Sequence, residues 1–188
     1  MKPAPFEYVA PRSLEVALAE LARGGEDAKP LAGGQSLVPL LNMRLARPSL
    51  LVDLNRVDGL DEVEQGNGSV RVGATVRQAR LPDLPLVREA LPFVGHFVTR
   101  NRGTVGGSIA HADPSAELAV CLAALDGSVV VGSADGRREI AATAFAIAAG
   151  ALIVLPSPSP FAPRGRKGEG VERCAMRTRG TSGAVGAR

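Results

Sequence analysis

Leu31-Ala32-Gly33-Gly34-Gln35-Ser36-Leu37 is the stretch on which the fold turns. Pro30-Leu31-Ala32 reads as a short buried strand that runs straight into a glycine pair. Glycine lets the backbone adopt positive φ and approach a neighbour closely, because it carries no Cβ. On the far side, Leu37 to Leu45 reads as a short helix with Pro39 in its first turn, where a missing N–H costs nothing. Pro48 closes that helix, and Leu50-Leu51-Val52-Asp53-Leu54 is a compact apolar strand. Upstream, Ser13 is placed to cap a helix with Glu15 in its first turn. Leu14, Ala17, Leu18 and Leu21 recur at helical spacing, and Gly24-Gly25 end the helix. Helix, strand, glycine loop, helix and strand in this order predict a small α/β unit with parallel pairing.

Composition limits what such a unit can serve. The chain has 188 residues, 45% of them hydrophobic, enough for one domain or two small ones with a packed core. Aromatic residues are 3% and Trp is absent, which argues against a base-stacking platform. From Pro156 onward there are seven Lys/Arg against two Glu, a net of +5, whereas the whole chain is +3. Residues 1–155 are therefore slightly acidic, about −2, and no nucleic-acid partner is expected for them. Transmembrane and signal-peptide patterns are missing, so a cytoplasmic location is the expectation. Cys121 and Cys174 stand far apart without CxxC spacing, which predicts neither a zinc site nor a disulfide framework. Cys121, within Ala119 to Ala123, reads as a small buried thiol, and His96 and His111 read as loop or surface residues.

The next segment changes character. Glu64 to Gly68 is a turn, and Ser69 to Ala74 alternates like a strand. Val76–Arg80 and Leu84–Ala90 read as short helices, Ala116–Leu125 as a longer one, and Ser128–Gly132 as a strand before an Asp135-Gly136 hairpin signal. Between them lies a second glycine segment, Arg102-Gly103-Thr104-Val105-Gly106-Gly107-Ser108-Ile109-Ala110. Neither segment carries the lysine of GxxxxGK[ST], and neither has GxGxxG spacing, so Walker and Rossmann sites are excluded. Either loop alone reads as a structural turn. Together they predict an anionic ligand, a diphosphate, held by backbone N–H groups and the Ser36 and Thr104 hydroxyls.

Ala32 to Leu37, then Leu51-Val52-Asp53-Leu54, then Arg100 to Glu117 closely resemble the FAD-binding, or medium, subunit of molybdenum hydroxylases, the family of the carbon monoxide dehydrogenase medium subunit and the xanthine dehydrogenase flavin domain. The resemblance covers residues 1–145. It implies an α+β, PCMH-type FAD-binding fold of two subdomains, about 1–56 and 57–155, the second with a mixed or antiparallel sheet. It further implies FAD stretched between them, with Ala32, Gly33, Gly34, Gln35, Ser36 and Leu37 on one side and Thr104, Val105, Gly106, Gly107 and Ser108 on the other. Glu117, with Asp113 as a weaker candidate, falls where relatives contact the adenosine portion. Asp53 is as readily a structural cap as a ligand contact. The implied role is electron transfer, with a molybdenum-cofactor large subunit and a [2Fe–2S] small subunit as partners and FAD passing electrons to an external acceptor. No catalytic side chain and no metal ligand is implied.

Residues 156–188 depart from the family. Four Pro, six Gly and seven basic residues predict a disordered tail in place of the family's C-terminal domain, or an out-of-frame translation of high-GC DNA. The expectation is a truncated subunit. Its alternative is a non-catalytic remnant or interaction module that no longer holds FAD.

Overall fold

The computed structural model describes residues 2–66, 68–113 and 115–145, together with the backbone of 170–177. Two sheets divide the chain. In the first, β1 (Glu7–Val9), β2 (Ala28–Leu31) and β3 (Leu50–Asp53) pair in parallel in the order β1-β3-β2. Leu50, Leu51 and Val52 are all buried, as expected for a central parallel strand covered on both faces. Helix α1 (Leu14–Gly24) crosses over from β1, and Ala17 and Leu21 pack against Ala28, Leu50 and Val52. Ser13 caps it, its Oγ accepting from Val16 N at 3.3 Å, and Gly25 ends it at φ +57°. Helix α2 (Leu37–Asn42) is shorter than the sequence predicts: Pro39 and the exposed Met43 and Leu45 leave only Leu41 buried to hold it.

The second sheet is antiparallel, in the order β4 (Val63–Gly66), β5 (Ser69–Gly73), β8 (Gly170–Arg177), β6 (Ser128–Ser133), β7 (Gly136–Ala141). Helices α3 (Pro85–Ala90), α4 (Phe97–Arg102), α5 (Val105–His111) and α6 (Glu117–Ala124) accompany it. Val70, Val72, Val105, Ile109, Leu118, Leu122 and Val129 form its core. Cys121 joins them at 3% exposure, and burial pushes its thiol pKa up. The arrangement is the two-part α+β fold read from the sequence.

Three details differ. The residues Val76–Arg80 form only a 3-10 turn at Gln78–Arg80, because Gln78 N is taken by Gly103 O at 2.9 Å, across chain. In the β6–β7 hairpin Ser133 pairs with Gly136, so the two-residue turn is Ala134-Asp135 and Gly136, at φ +138°, already belongs to β7. Lastly, the span expected to be disordered contains β8. Its register sets Cys174 opposite both Val72 and Val129, and Met176 opposite Val70. Val171-Glu172-Arg173-Cys174-Ala175-Met176 does not keep a period of two, and the surrounding Pro, Gly and Arg dominate the composition of the span. Residues 146–169 and 178–188, the remainder of that span included, lie outside the described residues.

Candidate functional site

The first glycine loop leaves β2 at Leu31 and enters α2 at Leu37. Gly34 sits at φ +73°, a conformation that favours glycine. Gln35 folds back, its Nε2 donating to Gly33 O at 3.3 Å. Val38 N bonds to Gly34 O at 3.0 Å and starts the helix. Among the described residues, the N–H groups of Gly33, Gly34, Gln35 and Ser36 have no protein acceptor. Four successive half-exposed or exposed amides are thus left without a protein acceptor, the kind of donor an anion takes.

The second glycine segment is not a loop. Thr104 is the N-cap of α5, its Oγ1 accepting from Gly107 N at 3.1 Å. Val105 N bonds to Val76 O at 2.9 Å, and Gly106 N to Ala74 O at 3.0 Å. Thr104 is 2% exposed and Val105 is fully buried. The sequence casts these amides as ligand donors, but Val105, Gly106, Gly107 and Ser108 all spend theirs within the protein, Ser108 N on Thr104 O at 3.0 Å. Between the exposed Arg102 and Ala110, the accessible residues of the segment are the half-buried Gly107 and Ser108.

The two segments meet backbone to backbone. A Cβ on Gly33 would lie 2.5 Å from Arg102 O, 2.9 Å from Gly103 Cα and 3.0 Å from Thr104 N. One on Gly107 would reach Ala32 Cβ at 3.5 Å. Glycine at 33 is thus required by close approach. Gln78, 6% exposed, lines the same junction against Gly103, and its Oε1 has no partner.

A polar chain that sequence reading missed runs beside the junction. Tyr8 donates its hydroxyl to Asp53 Oδ2, and Asp53 Oδ1 accepts from Asn55 N at 2.9 Å and Asn55 Nδ2 at 2.6 Å. Asn55 Nδ2 also donates to Ala32 O at 2.8 Å. Arg77 Nη2 donates to Asn55 Oδ1 at 2.8 Å, and Arg77 Nη1 to Arg102 O at 2.6 Å. Asp-x-Asn at 53–55, the mark of an Asx turn, was the available signal. Asp53 therefore caps and orients; it belongs to the supports of the loop.

Burial alone would push the Asp53 carboxyl up, but the bonds from Tyr8 and Asn55 and the Arg56 charge outweigh it and hold the pKa below the ordinary carboxylate value. A folded-state pKa below the unfolded one stabilises at neutral pH, and that stabilisation is lost as pH falls through the folded value. Asp53→Asn is accordingly expected to be less stable at pH 7 by about 1.5 kcal/mol, with the gap closing below about pH 4. Melting temperatures of both proteins between pH 7 and pH 3 check this.

Asp113 and Glu117 are not brought to the junction by any bond. Asp113 is exposed at the far end of α5, about 10 Å of helix beyond Thr104. Its Oδ1 accepts from Ser115 N at 2.9 Å and Ser115 Oγ at 2.7 Å, and these bonds lower its pKa. Glu117, half-buried, opens α6. His96 and His111 are both exposed. No group of three or more metal-ligating side chains exists among the described residues, nor a helix long and apolar enough to cross a membrane.

Comparison with known proteins supplies the family. The sequence model of the family described as "FAD binding domain in molybdopterin dehydrogenase" matches residues 4–156. The chain belongs to this family. Its cofactor is accordingly FAD. The alpha subunit of the 6-hydroxypseudooxynicotine dehydrogenase complex of Paenarthrobacter nicotinovorans is 52% identical over 147 residues, 74% of this chain and 50% of that protein. The carbon monoxide dehydrogenase medium chain of Hydrogenophaga pseudoflava is 37% identical over 152 residues, 77% of this chain and 53% of that one. The chain thus spans about half the length of the curated relatives it matches. Among solved structures, carbon monoxide dehydrogenase from Hydrogenophaga pseudoflava lacking the Mo-pyranopterin moiety aligns with a TM-score of 0.81 at 32% identity, covering 96% of this chain and 62% of that one. Quinoline 2-oxidoreductase from Pseudomonas putida 86 aligns at 0.78 and 36% identity, covering 95% and 61%.

The junction fits the cofactor's diphosphate. Four unspent amides, a close backbone contact that only glycine permits, and a cation at Arg77 whose two acceptors are neutral oxygens suit a doubly charged anion.

Proposed function

We propose that this chain is the FAD-holding part of a molybdenum hydroxylase, working with a molybdenum-cofactor large subunit and a [2Fe–2S] small subunit. The observation that carries the reading is the contact of Gly33 with the Arg102–Thr104 backbone, which puts the unspent amides of 33–36 beside the start of α5. Bound FAD supplies the redox chemistry, accepting electrons from an iron–sulfur partner and passing them to an external acceptor. The chain's own share is binding and orientation. Amides of Ala32 to Ser36 hold the diphosphate, Leu37 packs on the flavin side, and Gly107 and Ser108 close the site from α5. Thr104, Val105 and Gly106 keep that helix end in place. Asp113 and Glu117 serve the adenosine end.

The second reading is a non-catalytic or interaction module that does not hold FAD. One experiment separates them. The full chain is purified after incubation with FAD and passed over a desalting column. A yellow protein that releases FAD on denaturation is expected; colourless protein overturns the first reading.

A further inference from the structure

The glycine segments touch, yet the side-chain bonds that tie them come from two residues outside both. Asn55 grips the first segment at Ala32 O, Arg77 grips the approach to the second at Arg102 O, and the two residues bond to each other. We propose that Asn55 and Arg77 form a latch that sets the spacing of the FAD diphosphate clasp, acting as positioning residues through those two carbonyls. The inference rests on the reading of the junction as that clasp.

The chemistry of each residue suits the task. Arginine has only donors, so the Asn55 amide must turn its oxygen to Arg77 and its nitrogen to Ala32 and Asp53. That fixes the amide orientation on chemical grounds. Asp53 takes both the backbone N–H and the Nδ2 of Asn55, so the amide has no second rotamer with equal bonds. Arg77 spends two separate nitrogens, Nη1 and Nη2, on two acceptors 47 positions apart in sequence, Asn55 and Arg102. A planar fork meets two fixed acceptors at once, whereas an ammonium on a flexible stem does not. Arg77 also stands in an isolated antiparallel bridge with Thr104, so its backbone is already held against the cap of α5. The latch thus runs from β3 through the first loop to the N-terminus of α5.

The test measures FAD affinity by flavin fluorescence titration, and apo-protein melting, for wild type, Asn55→Ala, Arg77→Ala, the double variant, Arg77→Lys, and Val87→Ala. Val87 is a core residue 1% exposed and outside the latch, so its variant gauges a purely structural loss. Each single latch variant is expected to bind FAD about tenfold more weakly, the double no more weakly than about either single, since both break one linkage. Arg77→Lys, which keeps the charge, is expected to remain weak, and it carries the test if Arg77→Ala does not fold. Val87→Ala is expected to melt earlier but to bind as wild type. Wild-type affinity in Arg77→Lys, independent losses that multiply in the double, or an equal loss in Val87→Ala each overturn the latch alone. Wild-type protein that takes up no FAD overturns the reading of the site, and the latch with it.

Discussion

Gly33→Val folds its two sheets but no longer retains FAD. The three atoms that its Cβ would meet at 2.5 to 3.0 Å are Arg102 O, Gly103 Cα and Thr104 N, every one of them backbone. No rotamer change relieves such a clash, so the two segments must part by about an ångström to reach ordinary contact distance. Parting them strains both carbonyl bonds of the Asn55–Arg77 pair and widens the gap between the free amides of the first loop and Gly107. Overpacking of this kind costs about 1–3 kcal/mol of stability, while mispositioned donors are expected to lower FAD affinity by about a hundredfold or more. Circular dichroism should remain native and the flavin-to-protein ratio should fall to the background. Gly25→Ala is the control: Gly25 has positive φ but open space around its Cβ position. It loses about 1–3 kcal/mol to backbone strain and keeps its flavin. Wild-type flavin content in Gly33→Val would show that the close contact has no part in binding.

The first half of this site was readable because local signals and the fold agree there. Leu50 to Val52 are apolar and central, Ser13 caps, Gly25 stops, and Gly34 takes the positive φ that a glycine loop needs. The second half was not readable locally. Gly106 and Gly107 disfavour helix by about 1 kcal/mol each, yet they lie in α5. The helix exists because Thr104 caps it, and because Val105 and Ile109 are buried in the second core. Tertiary packing overrides propensity at that point. For the same reason the sequence offers amides at 105–107 as ligand donors, although Val76, Ala74 and Thr104 accept them. Asn55 and Arg77 stayed hidden because they act across 22 residues of chain through partners that are backbone carbonyls, which carry no sequence mark. Strand β8 was hidden because Glu172-Arg173 and Cys174-Ala175 break the period of two, and the Pro, Gly and Arg around it carry no strand signal.

Why glycine stands at 106 follows from that packing, and its replacement is the larger test of stability. A Cβ there would lie 2.6 Å from Ala74 Cα, 2.6 Å from Ala74 Cβ and 2.8 Å from Ala74 O. The approach is this close because Gly106 N donates to Ala74 O at 3.0 Å, which pins the first turn of α5 to the end of β5. Two effects oppose each other when a side chain is introduced. Leaving glycine for a better helix former gains up to about 1 kcal/mol. The clash costs about 1–3 kcal/mol, and moving the helix to relieve it breaks the Ala74 bond and exposes Val105 and Ile109. The second set wins, and by most for a β-branched side chain, which has little helix preference to return. Gly106→Val is therefore expected to lose about 3 kcal/mol, a fall of about 10 °C in Tm for a chain of this size. Gly106→Ala should lose less, since its intrinsic gain offsets part of the clash. Ser108→Ala, two residues on and half-buried, should melt within a degree or two of wild type. Thermal melts of the three apo-proteins rank them. Equal stability of Gly106→Val and wild type would mean that α5 slides freely on β5, and that its cap holds no fixed place beside the first loop.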